Sequence, residues 1–451
     1  MTIISLIFPY HKTMHMPASR RRFLTQSGSL VLGSTLLPAF GAELFAHNPL
    51  RFSALDKINV GVIGVNGMGW SNLTALLKVP NVQCIALCDV DANLLAKRAA
   101  ELKSPVKTYS DYRKLLDNKD VHLVIIGTPD HWHCLMMTDA CAAGKFVYVE
   151  KPCGNSVEEC RLMEAAQQRY KSFVQVGQWQ RSAPHFQDAI AFVHSGKLGN
   201  IRTVKSWAYM GWMKPVPILP DGTAPAGVDY KTWLGPATLR PFNGNRFHFN
   251  FRWFWDYAGG LMTDWGVHMM DYAFLGMKAG FPTTVMASGG KMAYPDDASE
   301  TPDTLTAVFE YDKFNIGWEH ATGIDLGPYG LTHGTAFIGN NGTLVLNRDG
   351  WYVKPEGKKM EEVTLQKVQG DSLLLHHQNF IDCIRNNKPE NIHTPIQEAS
   401  KTAQICQLGN IAFRTRKKLA WNDGSSQFDA ADANQLLKAS YHNGYLLPKL
   451  G

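Results

Sequence analysis

At 451 residues the chain is long enough for two domains of ordinary size. Its 45% hydrophobic and 19% charged residues are those of a globular protein and exclude a disordered one. The net charge of +6 is small, and half of the excess lies in the first 47 residues, where Lys12, Arg20, Arg21 and Arg22 outnumber Glu43. The remainder carries no basic stripe, which removes the electrostatic case for nucleic acid as a partner.

Residues 1–47 read as an export signal and linker. Residues 19–24, Ser-Arg-Arg-Arg-Phe-Leu, resemble a twin-arginine signal. The apolar run over residues 29–40 is too short and too rich in Gly and Ser to span a bilayer, which takes about 20 apolar residues. No Cys follows it, so no lipid anchor is expected, and cleavage is expected between Ala39 and His47. The signal implies the export machinery as a partner and a periplasmic location. Eight cysteines (Cys84, Cys88, Cys134, Cys141, Cys153, Cys160, Cys383 and Cys406) form no Cys-x-x-Cys pair and read as small buried hydrophobes. That suits a protein folded in a reducing compartment before export.

From residue 55 to 177 short apolar runs alternate with amphipathic stretches. Strands are expected at residues 58–63, 83–88, 121–127, 146–150 and 173–177, and helices from residue 67 and over 131–143 and 157–170. This alternation predicts an α/β Rossmann domain with a parallel, doubly wound sheet. Between the first strand and first helix stands Gly64-Val65-Asn66-Gly67-Met68-Gly69. Gly64 permits the tight turn, Gly69 lets helix and strand approach, and the helix N-terminus offers free N–H groups to a pyrophosphate. Asn66 stands where a second glycine is usual, and Asn tolerates left-handed backbone angles better than most residues. Asp89 ends the second strand about 20 residues beyond Gly69, where a carboxylate accepts from ribose hydroxyls and repels a 2′-phosphate. The cofactor expected is NAD in preference to NADP.

Four motifs in order then carry a resemblance. They are the glycine turn, Thr128-Pro129-Asp130-His131-Trp132-His133, Glu150-Lys151-Pro152, and residues 259–271, Gly-Gly-Leu-Met-Thr-Asp-Trp-Gly-Val-His-Met-Met-Asp. Together they resemble the glucose-fructose oxidoreductase/inositol dehydrogenase/MocA superfamily from about residue 57 to 419. The resemblance implies NAD(H)-dependent oxidoreduction of a sugar, glycoside or polyol at a CH-OH group. It implies a cis Lys151-Pro152 peptide, and Thr128, Pro129, His133 and Glu150 as cofactor neighbours beside Gly64, Asn66, Gly67, Met68, Gly69 and Asp89. A Lys ammonium at position 151, at a strand's C-terminal end, can stabilise a developing alkoxide. Asp264 and His268 stand four apart, so on one helix they share a face. His268 is the candidate general base, Asp264 its orienting partner or proton relay, and Lys151 the electrophilic support. With no third ligand in view, no metal is expected.

Residues 178–420 are expected to form an α+β domain with a large, mostly antiparallel open sheet, its strands at residues 201–210, 284–289, 304–311, 314–320, 335–338 and 342–346. Helices are expected over residues 373–386 and 395–416. The resemblance implies that this sheet serves substrate contact and homo-oligomer formation. Aromatic residues crowd residues 207–265, and Arg181, Arg252 and Trp253 are the substrate candidates beside Lys151, Asp264 and His268. Residues 421–451 read as a tail without a motif.

Three functions compete. The leading one is an exported dehydrogenase that carries a tightly bound cofactor and acts on a secondary alcohol, C3 of a pyranose included. The second is redox-assisted glycoside cleavage, whose practitioners have a Thr-His-Gly stretch where this chain has residues 264–268. The third is a sugar-binding protein without catalysis, which Lys151, Asp264 and His268 together disfavour.

Overall fold

The computed structural model describes residues 57–450, so the export signal and its cleavage site lie outside the described residues. The first half alternates as expected. Its elements are β1 (Ile58–Ile63), α1 (Gly67–Leu76), β2 (Val82–Cys88), α2 (Ala92–Glu101), β3 (Lys107–Tyr109), α3 (Tyr112–Leu116), β4 (Leu123–Ile126), α4 (His133–Ala142), β5 (Phe146–Val149), α5 (Val157–Tyr170) and β6 (Val174–Val176). All six strands pair in parallel in the order β3-β2-β1-β4-β5-β6. The order reverses between β1 and β4, and the loops that follow these two strands bound the crevice where such sheets take ligands. β4 and β5 read as unbroken apolar runs, buried at every position because both faces are covered, and β1 is interrupted only by the half-buried Asn59.

The second half follows with α6 (Pro184–His194), β7 (Ile201–Met210), α7 (Tyr230–Leu234), α8 (Gly260–Asp264), α9 (Gly266–Met277), β8 (Thr284–Gly290), β9 (Thr304–Glu310), β10 (Asn315–Thr322), β11 (His333–Gly339), β12 (Gly342–Asn347), β13 (Gly350–Pro355), β14 (Val363–Lys367), α10 (Ser372–Asn386), α11 (Ile396–Thr415), β15 (Leu419–Asn422), β16 (Gln427–Phe428) and α12 (Ala431–Gln435). These strands make one ten-stranded sheet, β14-β13-β12-β11-β7-β10-β9-β8-β15-β16. It is antiparallel except where β10 pairs with β7.

Two boundaries differ from the sequence expectation. α10 returns to the nucleotide half, where Phe380, Ile381 and Ile384 share a core with Ile58, Val60, Leu73 and Leu123. The helix is amphipathic, and α1 offers it an apolar partner. Residues 421–450 are no loose tail. β15 and β16 extend the large sheet, the Tyr441 hydroxyl donates to Glu159 at 2.7 Å, and Tyr445 packs edge-on against Trp132 with centroids 5.3 Å apart. These contacts join residues far apart in the chain, which is why no local pattern announced them.

Candidate active site

The glycine turn is built by contact. Gly64 has φ +83°, and a Cβ there would lie 2.8 Å from the Gly127 carbonyl group. A Cβ on Gly69 would come within 1.9 Å of the Gly64 oxygen, so only glycine lets α1 start against β1 and β4 at this distance. Beside Asn66 it is Gly67 that takes a positive φ, +45°, whereas Asn66 is extended at φ −103°. The tolerance argued for Asn66 is therefore not used: the neighbouring glycine takes the strained angle. Asn66 does not cap α1 with its side chain, and nothing lies within 4 Å of where a Gly67 Cβ would be. The result is an uncapped helix N-terminus facing open space, which fits a pyrophosphate.

That space belongs to a cleft of about 410 Å³ bordered by Gly64, Asn66, Gly67, Met68, Asp89, Thr128, Pro129, Glu150, Lys151 and Arg252, all of them sequence candidates. Asp89 accepts from the Val65 N–H at 2.8 Å and the Asp91 N–H at 3.0 Å, which leaves each oxygen a lone pair for a ribose hydroxyl. Glu150 turns inward, accepting from Asn72 Nδ2 at 2.8 Å and from the Lys151 N–H at 3.1 Å. Two cofactor candidates do not border the cleft: Gly69, which packs against Gly64, and His133. The His133 ring nitrogens sit 2.7 Å from the Pro152 oxygen and 2.9 Å from the Thr128 oxygen, fully buried. It ties together two loops that border the cleft and does not border the cleft itself.

Lys151 follows β5 and its peptide bond to Pro152 is cis. Its ammonium donates to Asp264 Oδ1 at 2.7 Å and to the Asp264 main-chain oxygen at 2.9 Å. Arg252 Nε donates to the same Oδ1 at 3.3 Å. Burial works to raise the Asp264 pKa, but the charges of Lys151 and Arg252 outweigh it and hold the carboxyl below its ordinary range. Asp264 and His268 do not share one continuous helix: α8 ends at Asp264, Trp265 intervenes, and α9 begins at Gly266. Asp264 makes no hydrogen bond to His268, because its carboxylate is spent on two cations. The expected orienting role toward His268 therefore passes to Lys151.

His268 is buried, and its Nδ1 has no hydrogen-bond partner. Burial first, then the charges of Lys151, Arg348 and His333, push its pKa well below the ordinary 6.5, so the ring is neutral. The structure also brings in groups that sequence reasoning missed. Arg348, in the β12–β13 turn, lies between Trp179 and Trp265, its guanidinium carbon 4.9 and 4.5 Å from their ring centres. Asp130, beside Pro129, is buried in the cleft wall, and burial pushes its carboxyl up to about 7. A turn signature hid the first residue, and the second stands in the Thr128–His133 motif, where its burial leaves no mark in sequence.

Two substrate candidates are placed elsewhere. Arg181 donates through Nε and Nη2 to Asp271, both bonds 2.7 Å, and is buried in that ion pair. Trp253 is 5% exposed and packs into the core near Met213 and Leu261, away from the cleft. Of the three second-half candidates, only Arg252 reaches Lys151 and Asp264.

Residues 58–178 match the model described as "Oxidoreductase family, NAD-binding Rossmann fold", and residues 198–446 the one described as "Oxidoreductase family, C-terminal alpha/beta domain". The chain belongs to the Gfo/Idh/MocA oxidoreductase family. Its first half is therefore this family's NAD-binding domain, in agreement with the glycine turn, the uncapped helix and Asp89. Among curated relatives of this Gfo/Idh/MocA protein, the rhizopine catabolism protein MocA of Rhizobium meliloti is 28% identical over 155 residues, 34% of this chain and 48% of the relative. A glycosyl hydrolase family 109 protein of Saccharopolyspora erythraea is 31% identical over 174 residues, 36% of this chain and 37% of the relative. The matched region spans less than half the length of either. The fold is shared with levoglucosan dehydrogenase, solved with NADH and levoglucosan, at a TM-score of 0.63 and 18% identity over 81% of this chain and 99% of that one.

Proposed function

We propose that this protein oxidises a secondary alcohol of a sugar, glycoside or polyol, C3 of a pyranose included, using NAD retained through the cycle. The observation that carries the reading is the meeting of Lys151, Asp264, Arg252 and neutral His268 at the C-terminal end of β5, beside the glycine turn. Bound NAD⁺ supplies the acceptor for the hydride that leaves the carbinol carbon. The chain's own residues do the rest. Two of the three Lys151 N–H groups are engaged by Asp264, and the third is available to the reacting oxygen, where it stabilises alkoxide character. Asp264, ionised and shared with Arg252, fixes the direction of that ammonium. His268, neutral and with Nδ1 unpartnered, is fit to take the hydroxyl proton. The cations that keep it neutral also favour passing that proton onward.

Residues 19–24 support delivery to the periplasm by the twin-arginine route. A protein exported folded can carry its NAD with it, so reoxidation by a second sugar or ketone completes a ping-pong cycle. The large sheet is the surface through which copies would associate. The test is the absorbance spectrum of the purified protein before and after a panel of sugars, glycosides and polyols. Stoichiometric nicotinamide that becomes reduced with one donor supports the reading, and no cofactor and no reduction with added NAD⁺ overturns it.

One observation favours a second reading: the glycosyl hydrolase family 109 relative. In redox-assisted glycoside cleavage an aglycone would appear with no net reduction of the cofactor, so product analysis on an aryl glycoside separates the two.

A further inference from the structure

Arg348 is a cation without an anion. Among the described residues no carboxylate pairs with it, and its Nε is buried without a hydrogen-bond partner. Asp264, the buried carboxylate nearest in charge, is bound to Lys151 and Arg252. Asp349, the next residue, is exposed and accepts from Asn347 Nδ2 at 3.1 Å. The residue is half-buried, so its Nε has lost water without gaining a partner, a cost that the indole faces of Trp179 and Trp265 recover only in part. Burial pushes its pKa down to about 10, the direction of a charge that lacks its counterpart.

The polar groups around it are open in the same way. His333 Nε2 and His268 Nδ1 are both buried and unpartnered, and the His333 ring lies 5.1 Å from that of Trp265. Trp265 and Trp179 each stand 6.3 Å from the His268 ring. The guanidinium therefore sits in the same cluster as the proposed base, its carbon over both indole rings. Lys151 and Arg348 both act on His268; Asp264 is shared by Lys151 and Arg252, Asp130 and Glu150 also face those two cations, and among the described residues none of these carboxylates pairs with Arg348. A planar, pre-oriented arginine with no partner is the geometry that takes a carboxylate in two parallel hydrogen bonds.

We propose that Arg348 is the substrate's carboxylate clamp, and that the sugar oxidised here is an acidic one, a uronate or a glycoside of one. This rests on the oxidoreductase reading above and names its substrate class. Trp179 and Trp265 position the guanidinium, and His333 is placed to donate to an oxygen of the same ligand. Arg348 is then a specificity residue: it selects the substrate without entering proton or hydride transfer.

The test is calorimetric binding to the full chain saturated with NADH, using matched pairs: glucose and glucuronate, galactose and galacturonate, and the methyl glycosides of each. The acid is expected to bind roughly ten- to a hundredfold tighter than its neutral partner in at least one pair. Arg348→Gln is expected to abolish that preference and Arg348→Lys to retain part of it, with NADH affinity unchanged in both. Equal or weaker binding of the acid in every pair overturns the clamp, and this comparison needs only the unaltered protein, whatever the variants do to folding. Turnover separates the two ideas. Acid preference in binding with no reduction of NAD⁺ by any sugar sinks the oxidoreductase reading and spares the clamp, while turnover of neutral sugars without acid preference does the reverse.

Discussion

Replacing Lys151 with Met removes the ammonium and keeps most of the stem. The Nζ holds two bonds to Asp264, at 2.7 and 2.9 Å, and has one N–H left for the substrate. Loss of one donor aimed at a developing oxyanion costs about 10²–10³ in kcat, roughly 2.7–4 kcal/mol. The variant also strips Asp264 of its nearer cation, but Arg252 stays at 3.3 Å, so the carboxylate is left weakly paired and not bare. The stability loss should then fall below the roughly 3–5 kcal/mol of a buried pair broken outright. The assay is single-turnover reduction of bound NAD⁺ by the donor sugar, alongside NADH binding by fluorescence and thermal unfolding. The expected result is a fall of at least a hundredfold in the reduction rate with NADH affinity nearly unchanged. A rate within threefold of the unaltered protein would refute the role given to the third N–H. Equal losses of rate and NADH affinity would assign Lys151 to holding the cofactor.

Other expectations follow from the same geometry. Because His268 has its pKa depressed below 6.5, it stays in its base form as pH falls through that value. kcat/KM for oxidation should therefore be flat from about pH 8 to 6.5 and decline only below, and an acid limb centred at or above 6.5 would remove His268 as the base. Gly69→Ala places a methyl 1.9 Å from the Gly64 oxygen, so the folded protein should lose NADH binding, measured by fluorescence. Asp89→Ser removes the carboxylate at the ribose position, and the ratio of NADP to NAD affinity should rise at least tenfold. Arg181→Ala leaves Asp271 buried without its partner and should cost about 3–5 kcal/mol in denaturant unfolding. Its folded fraction should keep the substrate KM, which tests the structural placement of Arg181 against the role the sequence suggested.

The parts of this site that could be read from sequence are those whose chemistry is carried by neighbours in the chain. Gly64 to Gly69, Asp89 and Lys151-Pro152 follow strands whose apolar runs mark their ends, and each motif states its own geometry. Asp264 and His268 were visible as residues but not as a pair in space, because the break at Trp265 turns one expected helix into two and hands the carboxylate to Lys151. Arg181 and Trp253 looked available because long-range partners are silent in sequence: Asp271 is 90 residues from Arg181. Arg348 was hidden for the opposite reason, its Arg-Asp-Gly setting spelling a turn, while its indole partners lie far away in the chain. In the large sheet the alternating strands were legible, whereas β15 and β16 are short and come after two helices. The pairing of β15 with β8, and of β16 with β15, follows from the fold and leaves no local trace.

The return of α10 and the C-terminal segment to the nucleotide half has a consequence for synthesis. On the ribosome the six parallel strands emerge first, but the apolar surface around Leu73 and Leu123 stays uncovered until Phe380, Ile381 and Ile392 have been made. Glu159 meets Tyr441 later still. The nascent chain thus holds an unfinished Rossmann sheet through most of translation, and a shorter gene product ending near residue 178 would expose that face to aggregation. Completion of the nucleotide half therefore waits on residues far downstream of its last strand.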